Sequence, residues 1–274
     1  MKHSDLPLRV DASRRVVAGS VGSTGWLFTL TNEGGPYLAV ARDADRYRIR
    51  VHGVADYLVE QREVVAEPAT GDFGEIEATY ELDVRPVLHQ LDGNPALHAS
   101  AVASDEGALA FAGPSCAGKS TMAALMSKLP GFRLVADDCL PLELDETIVR
   151  AKPTARCVRL RVTAAESLRE TQTMQFAKYI APREAESKAQ PLRAIFALKQ
   201  ADTVSIKPMS QREGMAFVAG HLQRLDPSDP SLLRSEFNFV AAVVRMVTVA
   251  TLSYPHSFDC TQISLEIERH LSKA

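Results

Sequence analysis

Gly113, Gly118, Lys119 and Ser120 stand in the pattern G-x-x-x-x-G-K-[ST], whose residue types and spacing suit the binding of a phosphate chain. Glycines let a backbone turn so that successive N–H groups converge on one anion, and a helix starting at the end of such a loop adds the partial positive charge of its N-terminus. Lys119 supplies a mobile cation for the outer phosphates, and the Ser120 hydroxyl is a ligand for Mg2+. Ser115, Ala117 and Thr121, in the same stretch GPSCAGKST, complete the expected phosphate-binding set. The pattern arises by chance in about one chain in a hundred of this length. A glycine turn ahead of a buried helix would not ask for a lysine and a serine at that spacing. Cys116 is one of the variable positions of the motif; a thiol at a helix start can be acidified, but tolerated variation is the simpler reading.

Asp137 and Asp138 are the next residues with chemical potential. Two adjacent carboxylates can divide two tasks, one toward Mg2+ and one accepting the proton of an attacking hydroxyl. An isolated acidic pair reads as a solvated turn or a helix cap, and the P-loop upstream is what gives this pair a function. His98 precedes the P-loop strand by one strand, so it is either within reach of the phosphates or a hydrogen-bonded structural residue.

The elements that must position these groups follow from local pattern. A strand-like LHASAVA from Leu97 leads through a turn to ALAFA from Ala108, then the glycine loop, then the helix-forming run TMAALMSKL. The strand FRLVA from Phe132 ends on the aspartate pair, at the carboxyl end of the sheet where open α/β folds bind ligands. Ser210 to Glu213 predicts a capping box opening a helix toward Arg224, and Ser235 to Val249 a further helix. The N-terminal third predicts short strands at WLFTL, YLAVA and YRIRV. Pro86 to Pro95 reads as a loop, which divides the chain into a small β-rich domain, 1–92, and a catalytic domain, 93–274.

Composition excludes other classes. The 274 residues include 34 acidic and 31 basic side chains and 46% hydrophobic residues, an ordinary globular balance that argues against disorder and against a polybasic nucleic-acid binder. The N-terminus lacks a signal-peptide core, Gly19, Gly22 and Gly25 break one apolar run and Arg245 another, so no membrane span is expected. Cys116, Cys139, Cys157 and Cys260 show no metal or disulfide spacing, which fits reduced thiols and a cytoplasmic location. Charge is uneven: residues 1–92 hold 10 basic and 15 acidic side chains, whereas Lys152 to Lys199 holds 10 basic and 4 acidic. Within that basic band Arg159 and Arg161 alternate on one strand face, with Arg156 nearby; they form either a solvated face or a site for phosphate or an acidic peptide.

LHASAV from Leu97, GPSCAGKST from Gly113 and LVADD from Leu134, in this order and spacing, resemble the catalytic domain of the bacterial HPr serine kinase/phosphorylase family. The resemblance covers residues 95–140 and extends through LRAIFALKQ from Leu192, VSIKPMS from Val204 and the final helices. It implies an α/β fold, a P-loop nucleotide-binding core of the HPr kinase and PEP carboxykinase type, with the β-rich N-terminal domain beside it. Gly113 to Thr121 would bind the phosphates of ATP or another nucleoside phosphate donor, and Ser120 would ligate Mg2+. Asp137 would be the general base toward a substrate serine and Asp138 would assist the metal; sequence adjacency leaves these two roles exchangeable. His98 matches the family's active-site histidine, and the family's hexamers imply a homo-oligomer.

After the aspartate pair this chain reads ETIVRAKPTARCVRLRV where the bifunctional enzymes carry a glycine-rich segment. The pattern therefore resembles the stand-alone HPr-kinase-like proteins, including those that phosphorylate the C-terminal serine of lasso peptide precursors. The expected partner is a peptide or small protein, with no nucleic acid and no membrane. Two other readings remain at this stage: a kinase for a small hydroxylated metabolite, and a nucleotide-sensing protein without transfer. A sensor needs a metal ligand but no base, so the second aspartate favours a kinase.

Overall fold

The computed structural model describes residues 2–14, 16, 26–32, 35–43, 46–154, 158–161, 177–180, 185–223 and 230–273. It is a mixed α/β structure whose contacts separate two units, Met1–Asn94 and Pro95–Gln223 with Pro230–Ala274.

In the first unit, strands β1 (Leu8–Val10), β2 (Trp26–Asn32), β3 (Gly35–Asp43), β4 (Arg46–Val51), β5 (Ala55–Val59) and β6 (Val64–Pro68) form one sheet in the order β1-β6-β5-β4-β3-β2. Alternation along β4 sends Ile49 and Val51 into the core and leaves Arg48 and Arg50 on the other face. There Asp56, fully buried, accepts from Arg50 Nε and Nη2, each at 2.6 Å, and from Arg48 Nη1 at 2.8 Å. The core face is covered by a helical run: α1 (Phe73–Thr79), one π turn (Tyr80–Val84) and α2 (Arg85–Leu91). Ile76, Tyr80, Val84, Val87 and Leu88 pack from it against Tyr57, Val64 and Ala66.

The expected strands in this third are present as β2, β3 and β4, but the loop expected over Pro86 to Pro95 is largely helix α2. Pro86 directly follows the π turn, where Arg85 N donates five residues back to Tyr80 O, and this wider turn lets the helical run continue past the proline. Asp92 then ends the run by accepting from the backbone N–H groups of His3 at 2.8 Å and Ser4 at 2.9 Å.

The second unit is built on a ten-stranded sheet. Its centre is β8 (Ala99–Ser104), β9 (Gly107–Ala112), β10 (Arg133–Ala136), β15 (Gln190–Gln200) and β18 (Thr248–Tyr254), in the order β10-β8-β9-β15-β18. β9, β15 and β18 run parallel, and β8 runs antiparallel to both β9 and β10. β16 (Ser205–Pro208) extends one side beyond β18. On the other path, β15 is joined through β12 (Val149–Ala151) and β11 (Leu140–Leu144) to β7 (Ala96–Leu97) and β17 (Leu222–Gln223). β13 (Val158–Arg161) and β14 (Ala177–Ile180) form a separate antiparallel pair.

Side chains of the central strands alternate between two cores. Val102, Leu109, Phe111, Phe196 and Leu252 pack with helices α3 (Lys119–Met126) and α6 (Cys260–Leu271). Six alanines of β8 and β9 face the other way, toward Val218 of α4 (Gln211–Gly220) and Phe239, Val240 and Val243 of α5 (Pro230–Met246). Ser210 caps α4 in the expected capping box with Glu213. That helix stops at Gly220, short of Arg224, which lies outside the described residues. The helix expected from Ser235 to Val249 starts earlier, at Pro230, and ends at Met246; the β-branched run VTVATL joins β18 because pairing with β15 satisfies its backbone and buries it. Among the described residues, no helix is long and apolar enough to cross a membrane.

Burial alone would raise the Asp92 carboxyl, but the hydrogen bonds from Ser4 and His3 outweigh it and hold the group below the ordinary carboxylate range. A carboxyl depressed on folding stabilises fully above its unfolded value, about 3.9, and that stabilisation is lost as pH falls through the folded value. Asp92→Asn should therefore cost about 1–3 kcal/mol in urea unfolding at pH 7, and the gap to wild type should narrow as pH falls below about 4.

Candidate active site

Antiparallel pairing decides where the chemistry gathers. Because β8 runs against β9 and β10, its start lies beside both of their ends: Ala99 pairs with Ala112, the residue before the loop, and Ala101 with Ala136, the residue before the aspartates. The glycine loop, the aspartate pair and the His98 backbone thus meet at one edge of the sheet, the carboxyl end of β9 and β10.

The loop is bent by three residues with positive φ, Gly113 at 153°, Cys116 at 65° and Gly118 at 90°. At Gly118 the requirement for glycine is also steric, since a Cβ there would lie 2.3 Å from Tyr254 Oη. Tyr254 ends β18, is 2% exposed, and donates to Ala117 O at 2.7 Å. α3 begins directly after Gly118 with no side-chain cap, so its first N–H groups are left to another acceptor. Ser120 and Thr121, both half-buried, lie in its first turn, while Ser115 and Cys116 are exposed in the loop.

Lys119 is 6% exposed and donates to two loop carbonyls, Gly113 O at 3.0 Å and Pro114 O at 3.2 Å. Burial pushes its ammonium below the ordinary lysine range, and the negative charges of Asp138 and Asp137 oppose that shift. The lysine and both carboxylates consequently form one electrostatic unit.

The two aspartates have different surroundings. Asp137 is 2% exposed and accepts from the fully buried Ser100 hydroxyl at 2.8 Å. Asp138 sits at φ 65° on a tight turn closed by Cys139 N donating to Asp137 O at 2.8 Å, and its side chain is 57% exposed. Its carbonyl oxygen lies 3.1 Å from His98 Nδ1 and accepts from Gln223 Nε2 at 3.0 Å, while its carboxylate stands 3.3 Å from His98 Nδ1. A carbonyl only accepts, so this contact makes Nδ1 the protonated ring nitrogen. These contacts hold a non-glycine residue in the left-handed region.

His98 is not inside a continuous strand. The expected strand from Leu97 breaks at this residue, where the chain passes from β7 to β8, and His98 N donates to His221 O at 2.7 Å. The break aims its ring at Asp138, which an unbroken alternation would not do. Three contributing residues are absent from the sequence reading: Ser100, Gln223 and Tyr254. Ser100 alone carried a signal, a single hydroxyl among alanines in LHASAVA.

Arg193 is held between Glu106 at 2.9 Å and Glu268 at 3.0 Å, within the fold. Arg159 and Arg161 alternate on β13, whose Val158 packs in the α3 core, but their side chains, like Arg156 and Cys157 entirely, lie outside the described residues. Of the other cysteines, Cys139 and Cys260 are buried and unbridged, and burial pushes the Cys260 thiol up to about 12.

The candidate metal donors, Ser120, Asp137 and Asp138, are all hard oxygens, a set that fits Mg2+. Among the described residues no three His, Cys, Asp or Glu side chains could enclose an ion by themselves. Mg2+ commonly takes one or two protein oxygens and completes its shell with phosphates and water.

Ser100→Ala would leave the buried Asp137 carboxylate short of one donor. The variant should lose about 1–3 kcal/mol of unfolding free energy at neutral pH, measured by urea denaturation, with helix and sheet content unchanged by circular dichroism.

No family model matches the chain, and no curated protein matches it. Among solved structures it is similar to the HPr(Ser) kinase/phosphatase from Coxiella burnetii, at 14% identity over 65% of this chain and 97% of that one, with a TM-score of 0.37.

Proposed function

We propose that the protein is a Mg2+-dependent kinase that transfers the γ-phosphoryl group of ATP, or of another nucleoside triphosphate, to a serine hydroxyl of a peptide or small protein. The observation that carries this reading is a buried Lys119 held on the carbonyls of the glycine loop at the mouth of an uncapped helix, with Asp137 and Asp138 at the adjoining strand end. A phosphate chain would occupy the N–H groups of the loop and of the first turn of α3, and Lys119 would exchange its loop carbonyls for phosphate oxygens. Asp137, buried and anchored by Ser100, would serve with Ser120 as a ligand of Mg2+, which would neutralise charge on the transferring group.

Asp138 is the open carboxylate, oriented through His98 and Gln223, and is the better proton acceptor for an incoming hydroxyl. This exchanges the roles that the family resemblance implies, and the reason is access: a base must reach the acceptor, and Asp137 is enclosed. In the step, the serine oxygen bonds to the γ-phosphorus, the bond to the β–γ bridging oxygen breaks, and the hydroxyl proton passes to Asp138. The resemblance to lasso precursor kinases supports the C-terminal serine of such a precursor as acceptor.

Incubation with Mg2+ and ATP and a precursor peptide, read by mass, tests the reading: wild type should add one phosphate. Lys119→Ala should slow transfer by about 100-fold or more. Asp138→Asn should abolish transfer while keeping Mg2+-nucleotide affinity, whereas Asp137→Asn should weaken that affinity. Transfer surviving in Asp138→Asn would return the base role to Asp137.

A further inference from the structure

We propose that Tyr254 is a positioning residue of the nucleotide site, whose hydroxyl orients the Ala117–Gly118 peptide so that the Gly118 N–H is presented to the phosphate chain. The proposal rests on the nucleotide-binding part of the reading above. Ala117 O is a carbonyl and only accepts, so the Tyr254 hydroxyl 2.7 Å away must be the donor. Gln200 lies opposite Tyr254 in the β15–β18 register, at the neighbouring strand end. The bond runs one way, from the Tyr254 hydroxyl to the Ala117 carbonyl.

That direction fixes a backbone group. The peptide is trans, and in a trans planar peptide the C=O and the following N–H point to opposite sides. Drawing Ala117 O toward β18 therefore turns the Gly118 N–H away from β18. Among the described residues that N–H meets no acceptor, although it opens the helix. The brace is stiff: the Tyr254 ring is buried in the α3 core and meets Phe258 edge-on at 5.0 Å, and the backbones of the two strand ends are joined by Ala201 N donating to Tyr254 O at 2.9 Å. Its hydroxyl also fills the space that a side chain at Gly118 would need, so glycine and tyrosine are a matched pair from opposite ends of the unit.

Tyr254→Phe keeps the ring and removes only the hydroxyl. Calorimetric titration with Mg2+-ATP, and with tripolyphosphate as a second probe, should show both bound about 5- to 20-fold more weakly, as expected for one lost hydrogen bond to an ordering group. The KM for nucleotide should rise with the KM for the peptide acceptor unchanged, and the melting temperature should stay within a few degrees. Unchanged affinity in Tyr254→Phe overturns the proposal, as does a fall in melting temperature without a change in affinity. Wild type that binds but does not transfer overturns the kinase reading alone, with Tyr254 still judged by the binding arm. Wild type that binds neither probe overturns both.

Discussion

A lysine that is only 6% exposed is costly unless its surroundings replace the water it has lost. Lys119 meets this need with two loop carbonyls and the field of two carboxylates, so the glycine loop and the aspartate pair are parts of one charge balance. Each partner must itself be fixed. Asp137 is held by Ser100, the carbonyl of Asp138 by Gln223 with His98 beside it, and the loop by Tyr254. An arrangement in which the lysine, the aspartates and the loop are each held by a neighbour can be rigid enough to wait for a phosphate without collapsing onto itself.

The sheet supplies the geometry for this balance through the direction of one strand. Were β8 parallel to β9, its start would lie at the far edge, and His98 and Ser100 could not approach the ends of β9 and β10. Antiparallel pairing turns a short sequence separation into a convergence of three segments. The alanines on one face of β8 and β9 leave room for α4, α5 and the β11–β12 hairpin to close over the sheet, and the larger Leu109 and Phe111 fill the space under α3 on the other. The phosphate-binding helix is thereby seated on a packed layer, and its N-terminus is fixed relative to the strand ends.

The parts of the molecule that could be read from the sequence are those governed by neighbours in the chain. The glycine loop, the capping box at Ser210, strands such as YRIRV and the strand ending on Asp137 each carry their cause within ten residues. The helical run over Phe73–Leu91 is not legible in the sequence, because Pro86 looks like a breaker unless the π turn before it is known. The end of α5 is not legible either, because a β-branched run suits helix or strand until its pairing partner is known.

Sequence alone determined which chemical groups this protein brings to a phosphate: a lysine, a serine and two carboxylates, in an order that only a loop followed by a helix and a strand makes sense of. Tertiary structure decided how those groups are used. Burial separates Asp137 from Asp138, although they are adjacent and identical in type, because the first turns under β8 and the second projects from a left-handed turn. Structure also recruited Gln223 and Tyr254, 85 and 137 residues from the atoms they hold. Hydrogen bonds over such distances are set by which strands pair and in what register, and that is a property of the whole sheet.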